Sequence, residues 1–185
     1  MSSDDEKRSG HSDQVEVYTF KVTYLGARGV WRLIEIAADQ SLDDLHAAIQ
    51  HAVDFDFDHL YSFFLSGRAW DEDSEYVSPG SEGRSAARVK VRDLHLQVNQ
   101  RFLYLFDYGD EHRFDVQLVS INPAAPKGAY PRVLERHGKN PPQYPEWENE
   151  EDEEDWEGED DEEEMWDDEA EMWDDEEEWD EEDNE

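Results

Sequence analysis

The sequence predicts an α+β fold: one mostly antiparallel sheet, one main helix packed on it, and a disordered acidic C-terminal tail. Three observations predict it. Residues 14–25 alternate side chains with a period of two, as a half-buried strand does. Residues 41–53 place apolar side chains along a single helical face. Residues 146–185 hold 29 Asp and Glu and no Lys, Arg or His. Such a block repels itself and lacks the aliphatic side chains that would offset its ordering entropy.

In the first strand, Tyr18, Phe20, Val22 and Tyr24 share one face, and Val17, Thr19, Lys21 and Thr23 share the other. Residues 26–29 form a glycine-bearing turn, and residues 30–37 return as an antiparallel partner, because a short loop makes a hairpin. The helix over 41–53 starts at Ser41, an N-cap residue with Asp44 three positions on. Asp43 and Asp44 suit its positive dipole end. Leu42, Leu45, Ala48, Ile49, Ala52 and Val53 form its apolar stripe. His46 sits at the edge of that stripe and His51 points away from it. Residues 60–66 read as a third strand. Residues 67–87 read as a long polar loop anchored by Ala69 and Trp70, and 89–94 as a short strand or turn. Residues 102–107 and 112–121 form a second hairpin, with Gly109 supplying the special dihedral of its turn. Residues 122–145 hold every proline except Pro79, which predicts an extended irregular arm packed on the domain. The order, two strands, a helix and three further strands, is reminiscent of a ubiquitin-like grasp at the level of the fold.

Composition narrows the function. The 185 residues include 52 acids and 16 bases, a net charge of −36. The first 145 residues keep 23 acids against all 16 bases, so −29 of the charge sits in the last forty. Residues 1–13 are polar and expected to be disordered. This leaves roughly 110–130 residues for one domain with its own core. With no cysteine, there is no disulfide framework and no thiolate chemistry. A reducing cytoplasm fits that usage. The first ten residues lack the apolar core of a secretory signal, and no run approaches the ~18 apolar residues of a membrane span. A chain this negative is repelled by nucleic-acid phosphate and by anionic membranes, so direct contact with either is not expected.

The polar residues with chemical potential gather at the second hairpin. Asp107, Asp110 and His112, with Glu111, offer oxygen and imidazole groups suited to a hard or borderline metal. A plainer reading makes the aspartates turn formers bonded to local backbone N–H groups, and alternation prevents all four from converging. Arg32 follows Trp31 in a half-buried strand. Its guanidinium then needs a partner such as Asp107 or Asp110, either as a structural ion pair or as an anion clamp. His46, His51 and His59 lack the four-residue spacing of a helical metal pair and read as exposed or helix-flanking. Asp54, Asp56 and Asp58 alternate like a calcium loop, without its glycine or closing Glu. Neither a nucleophile elbow nor a phosphate-binding glycine loop is present. No metal or cofactor is therefore assigned, and no oligomeric state.

Four segments in order carry a family resemblance: RGVWRLIEIA at 28–37, SLDDLHAAIQHA at 41–52, HLYSFFLSG at 59–67 and LYLFDYGDEHRFDVQL at 103–118. Together with YPRVLERHGKNPPQYP at 130–145 they resemble the plasmid pRiA4b Orf-three-like domain. The resemblance spans roughly residues 14–145 and leaves the acidic tail outside. It implies an α+β domain found in bacterial proteins and some mobile-element passengers, without a defined reaction. In the family a Trp, and two residues later a His, follow the Tyr-Asp-Phe-Gly-Asp stretch. Here those places hold His112 and Phe114.

The tail repeats itself, with Met165-Trp166-Asp167-Asp168 followed by Met172-Trp173-Asp174-Asp175 and then Trp179-Asp180. Solubility alone calls for charge and not for tryptophan. Trp166, Trp173 and Trp179 are therefore candidate contacts to a partner. The first functional expectation is a non-enzymatic binding or regulatory protein whose tail engages a basic surface, such as that of a nucleic-acid-binding protein. The second is an enzyme or metal-dependent accessory using the Asp107–His112 hairpin and Arg32. The third is a tail that covers Lys127, Arg132, Arg136 and Lys139 of its own domain.

Overall fold

Among the described residues, seven strands and one α-helix form, most of them where the periodicities place them. The computed structural model describes residues 14–144. The expectations for residues 1–13 and for the tail with Trp166, Trp173 and Trp179 lie outside the described residues. In chain order the elements are β1 (Gln14–Tyr24), β2 (Trp31–Ala37), α1 (Leu42–Val53), β3 (Tyr61–Phe64), β4 (Glu75–Val77), β5 (Arg101–Phe106), β6 (His112–Pro126) and β7 (Arg132–His137). They form one sheet in the order β4-β3-β5-β6-β1-β2-β7. Every ladder is antiparallel, so the sheet lacks the parallel central pair of a ubiquitin-like grasp.

Helix α1 begins as its sequence requires. Ser41 Oγ accepts from Asp44 N at 3.1 Å, and Asp44 Oδ2 accepts from Ser41 N at 2.7 Å. This reciprocal cap contributes roughly 1 kcal/mol. The helix ends at Asp54, whose φ of 66° is left-handed. Its stripe of Leu42, Leu45, Ala48, Ile49, Ala52 and Val53 is buried against Tyr18, Phe20, Val22, Ile34 and Ile36 of the first hairpin and Phe102, Tyr104, Phe114 and Val116 of the second. A smaller cluster of Phe64, Leu103 and Leu105 packs with Ala69 and Tyr108.

Two segments depart from the sequence reading. The polar stretch 67–87 contains β4, which pairs with β3 and closes one end of the sheet. Its three residues are too few to show a period, and short edge strands resist unwanted pairing. Residues Val91–Leu94 form a 3-10 turn, the second of the two forms expected there. The proline-rich arm contributes the end of β6 and the whole of β7, which pairs with β2 at the opposite edge. Pro131 and Pro141 bracket β7, and no proline interrupts its ladder. Among the described residues no helix is long and apolar enough to cross a membrane.

One polar cluster crosses the core. Tyr104 Oη, on β5, receives Gln50 Nε2 at 2.6 Å and faces His46 Nδ1 at 2.7 Å. His46 stacks on Tyr61 with ring centroids 3.8 Å apart, and Tyr61 donates to Asp43. His46, expected at a helix edge, is thus buried. Burial lowers its pKa to about 4, against the smaller upward pull of Asp43. The imidazole is therefore neutral, and its Nδ1 accepts from the tyrosine. The unfolded chain protonates His46 below about pH 6.5 while the folded chain does not, so stability falls as pH drops. A loss of about 3 kcal/mol is expected between roughly pH 6.5 and pH 4, where the folded form also binds the proton. Urea denaturation across that window should show a steeper decline in the wild type than in His46→Gln. Equal slopes would contradict the assignment.

Candidate functional site

The β5–β6 turn is built on aspartate. Asp107 adopts φ 58° and Glu111 φ 51°, so these two residues, and not Gly109, take the left-handed conformation. Aspartate tolerates that region because its short carboxylate bonds locally. Asp107 Oδ1 accepts from Gly109 N at 2.9 Å and from Asp110 N at 3.4 Å, and the Asp107 carbonyl accepts from Glu111 N at 2.7 Å. Asp107 is buried and Asp110 exposed. The turn bonds of Asp107 are those of the plainer reading.

A second carboxylate reaches the same place from the α1–β3 connection. His59 lies between Asp58 Oδ1, 2.9 Å from its Nδ1, and Asp107 Oδ2, 3.6 Å from its Nε2. The hydrogen bond with Asp58, then the charges of Asp107 and Asp58, raise the His59 pKa against some desolvation. The C-terminal arm completes the cluster. Tyr144 Oη donates to Asp58 Oδ2 at 2.6 Å, and Gln143 Nε2 donates to Asp58 Oδ1 at 3.0 Å. Hydrogen bonds from Tyr144 and then His59 hold the Asp58 carboxyl down to about 2. The same bond pushes the Tyr144 phenol up to about 12.

His112 begins β6 behind this cluster. It is buried, with Nδ1 3.1 Å from Tyr24 Oη, and its ring lies 4.8 Å edge-on from Phe55 and 6.3 Å from Phe106. Burial raises the Tyr24 phenol pKa. Tyr24, Asp110, His112, Pro142 and Gln143 line a cavity of about 270 Å³.

Arg32 takes no part in this arrangement. The expected pairing with Asp107 or Asp110 is replaced by bonds to neutral oxygens. Nε donates to Ala52 O at 2.8 Å, and Nη1 donates to Trp31 O at 2.8 Å and His137 O at 2.7 Å. Nη2 donates to Asn140 Oδ1 at 2.5 Å. Desolvation, and then the charge of Arg136, lower the Arg32 pKa. Its strand places it beside the end of α1 and β7, whose carbonyls accept its donors. Among the described residues, no group of three or more His, Cys, Asp or Glu is placed to hold a metal ion.

The site therefore places Asp107, Asp110 and His112, without Arg32, near Tyr24, Asp58, His59, Gln143 and Tyr144, which sequence reasoning did not select. In the sequence Asp58 and His59 stand out only separately, in a calcium-like alternation and in a set of histidines, and their adjacency was the signal that could have joined them. Another groove, about 440 Å³, runs between α1 and β7 and is lined by Ala47, Ala48, His51, Pro131, Arg132, Val133 and Arg136.

These features define a small α+β domain with an acidic, aromatic-walled polar cluster at one hairpin. The chain belongs to the family described as Plasmid pRiA4b ORF-3-like protein, whose model matches residues 16–185. That match extends over the acidic segment, which the sequence resemblance had left outside. Among solved structures, the chain is similar to a protein of unknown function, MM3350 from Methanosarcina mazei Go1. The two are 24% identical with a TM-score of 0.60, over 70% of this chain and 74% of that one, a likeness of fold. No curated protein matches the chain.

The charge coupling at His59 is directly measurable. Replacing Asp58→Asn should lower the His59 pKa, because the bond that favours the imidazolium loses its charge. Tyr144→Phe should raise the Asp58 pKa from about 2 toward the ordinary carboxylate range. NMR titration of the two side chains reads both. A His59 pKa indifferent to Asp58→Asn would show that the pair does not form in solution.

Proposed function

We propose that this protein is a binding or regulatory module and not an enzyme, whose acidic segment engages a basic protein surface and competes there with nucleic acid. The observation that carries this is charge density: 29 carboxylates and no base within residues 146–185. A fully extended peptide spans at most ~3.4 Å per residue, so such a segment can present a charge about every 5 Å. One strand of DNA carries a charge every ~3.4 Å. The two polyanions are thus comparable ligands for a lysine- and arginine-rich groove. The tryptophans support a partner beyond simple solubility, since Trp166, Trp173 and Trp179 add apolar area and cation–π contacts of roughly 1 kcal/mol each when desolvated. The partner is a basic protein, itself of the nucleic-acid-binding kind, and neither nucleic acid nor membrane is contacted directly. A cytoplasmic setting accords with this.

A second reading keeps a chemical role for the hairpin. What favours it is His59 held between two carboxylates beside His112. Arg32 drops out of that reading, because backbone carbonyls and Asn140 occupy its guanidinium.

Titration of a basic nucleic-acid-binding domain with the full chain, across a salt series, tests the first reading. Affinity should fall steeply as salt rises, since screening shortens to roughly 8 Å at physiological ionic strength. An oligonucleotide should displace the chain. Replacing Trp166, Trp173 and Trp179 with Ala should weaken binding at fixed charge by about tenfold or more. Equal affinities would reduce the segment to a nonspecific polyanion, and no binding at low salt would end the proposal.

A further inference from the structure

Among the described residues two buried side-chain atoms have no hydrogen-bond partner, Gln50 Oε1 and His112 Nε2, and of the two residues His112 lines a cavity. His112 is 7% exposed, its Nδ1 faces Tyr24 Oη, and its Nε2 is buried without a hydrogen-bond partner. A buried group of this kind that is left unmet destabilises the fold. The ring is not free to turn away, because Phe55, Phe106 and Tyr24 pack around it. The cavity of about 270 Å³ that His112 lines has Asp110 and Tyr24 on its walls, with Pro142 and Gln143 across from the hairpin.

The surroundings select the charge of an occupant. Asp110 lines the cavity, and Asp107 and Asp58 stand in the adjoining cluster. An anion is repelled by all three, and a cation is attracted by them. The Gln143 wall can move. Its amide nitrogen donates to Asp58 Oδ1 and Tyr144 Oη, each at 3.0 Å, and its oxygen accepts from Asp56 N at 2.6 Å. These bonds lie at the exposed surface, where water replaces them at little cost.

We propose that this cavity is a binding site for a primary ammonium group on an alkyl stem, such as a lysine side chain or a small free amine carries. With Nδ1–H donating to Tyr24 Oη, His112 Nε2 presents a lone pair. An ammonium has three donors, enough for Nε2 and the Asp110 carboxylate together with one water. Its stem lies against the Tyr24 ring and Pro142, and entry swings Gln143 outward. Water could donate to both Nε2 and Asp110, but it carries no charge for the carboxylates to attract. The inference concerns the folded domain and stands apart from any role of the acidic segment.

The test is NMR of the full chain with labelled histidine and tyrosine, at about pH 8, above the ordinary histidine pKa. Nα-acetyl-lysine methylamide and putrescine are titrated separately, with the Nε-acetylated lysine derivative as the uncharged control. Diffuse attraction of amines to the acidic segment gives no local, saturable signal at His112. The expected result is a saturable shift of the His112 ring and Tyr24 with at least one of the two amines, and none with the control. Tighter binding of the lysine derivative identifies a protein side chain as the source, and tighter binding of putrescine a free amine. Asp110→Asn, at an exposed position that leaves the fold intact, should weaken the site about threefold or more. His112→Phe, read at Tyr24, should abolish it. A response that never saturates, that survives Asp110→Asn unchanged, or that the acetylated control reproduces would overturn the site and leave Nε2 to a water molecule.

Discussion

A single buried cation, Arg32, holds together the parts of this domain that are far apart in sequence. Its guanidinium is 1% exposed and has no carboxylate. What offsets desolvation is a set of four oxygens that accept from it. Ala52 O belongs to the last turn of α1, whose carbonyls lack partners within the helix, and a cation there also meets the negative end of the helix dipole. His137 O closes β7, and Asn140 begins the arm that follows. Trp31, next to Arg32, stacks on His137 with centroids 5.2 Å apart and planes 4° off parallel. Helix, inner strand and edge strand therefore meet at one side chain.

The candidate site depends on that clasp at one remove. Residues after Asn140 deliver Gln143 and Tyr144 to the α1–β3 connection, where they bond Asp56 and Asp58. Asp58 and Asp107 then flank His59, and Asp107 fixes the hairpin that presents Asp110 and His112. No two neighbouring elements could make this cluster alone. The arm would be free to leave if the turn of chain around Asn140 were not pinned.

The two hairpins and α1 were legible because each carries a strong local signal: period two, period 3.6, and a capping box. β7 was not, because nearly all its side chains are exposed and a register shift opposite Leu33 and Ile34 breaks any alternation. The prolines around it suggested an irregular arm, yet they only frame a ladder. The burial of Arg32 was legible, but its partners were not, since a backbone carbonyl leaves no mark in a sequence. His46 seemed marginal on a helical wheel and is buried because Tyr104, on a strand 58 residues away, offers a hydroxyl. Asp107 was read correctly as a turn former. Its contact with His59 required knowing that β3 and β5 are neighbours.

The central claim, that Arg32 clasps β7 and the arm to the helix, is tested most directly by residue-resolved hydrogen exchange on Arg32→Lys. Lysine keeps the charge but cannot reach four oxygens with one planar fork. Losing buried hydrogen bonds worth about 1–3 kcal/mol should speed exchange of the β7 amides by about tenfold or more. Amides of β5 and β6, in the middle of the sheet, should keep most of their protection. Unchanged protection in β7, or an equal loss in every strand, would contradict the account.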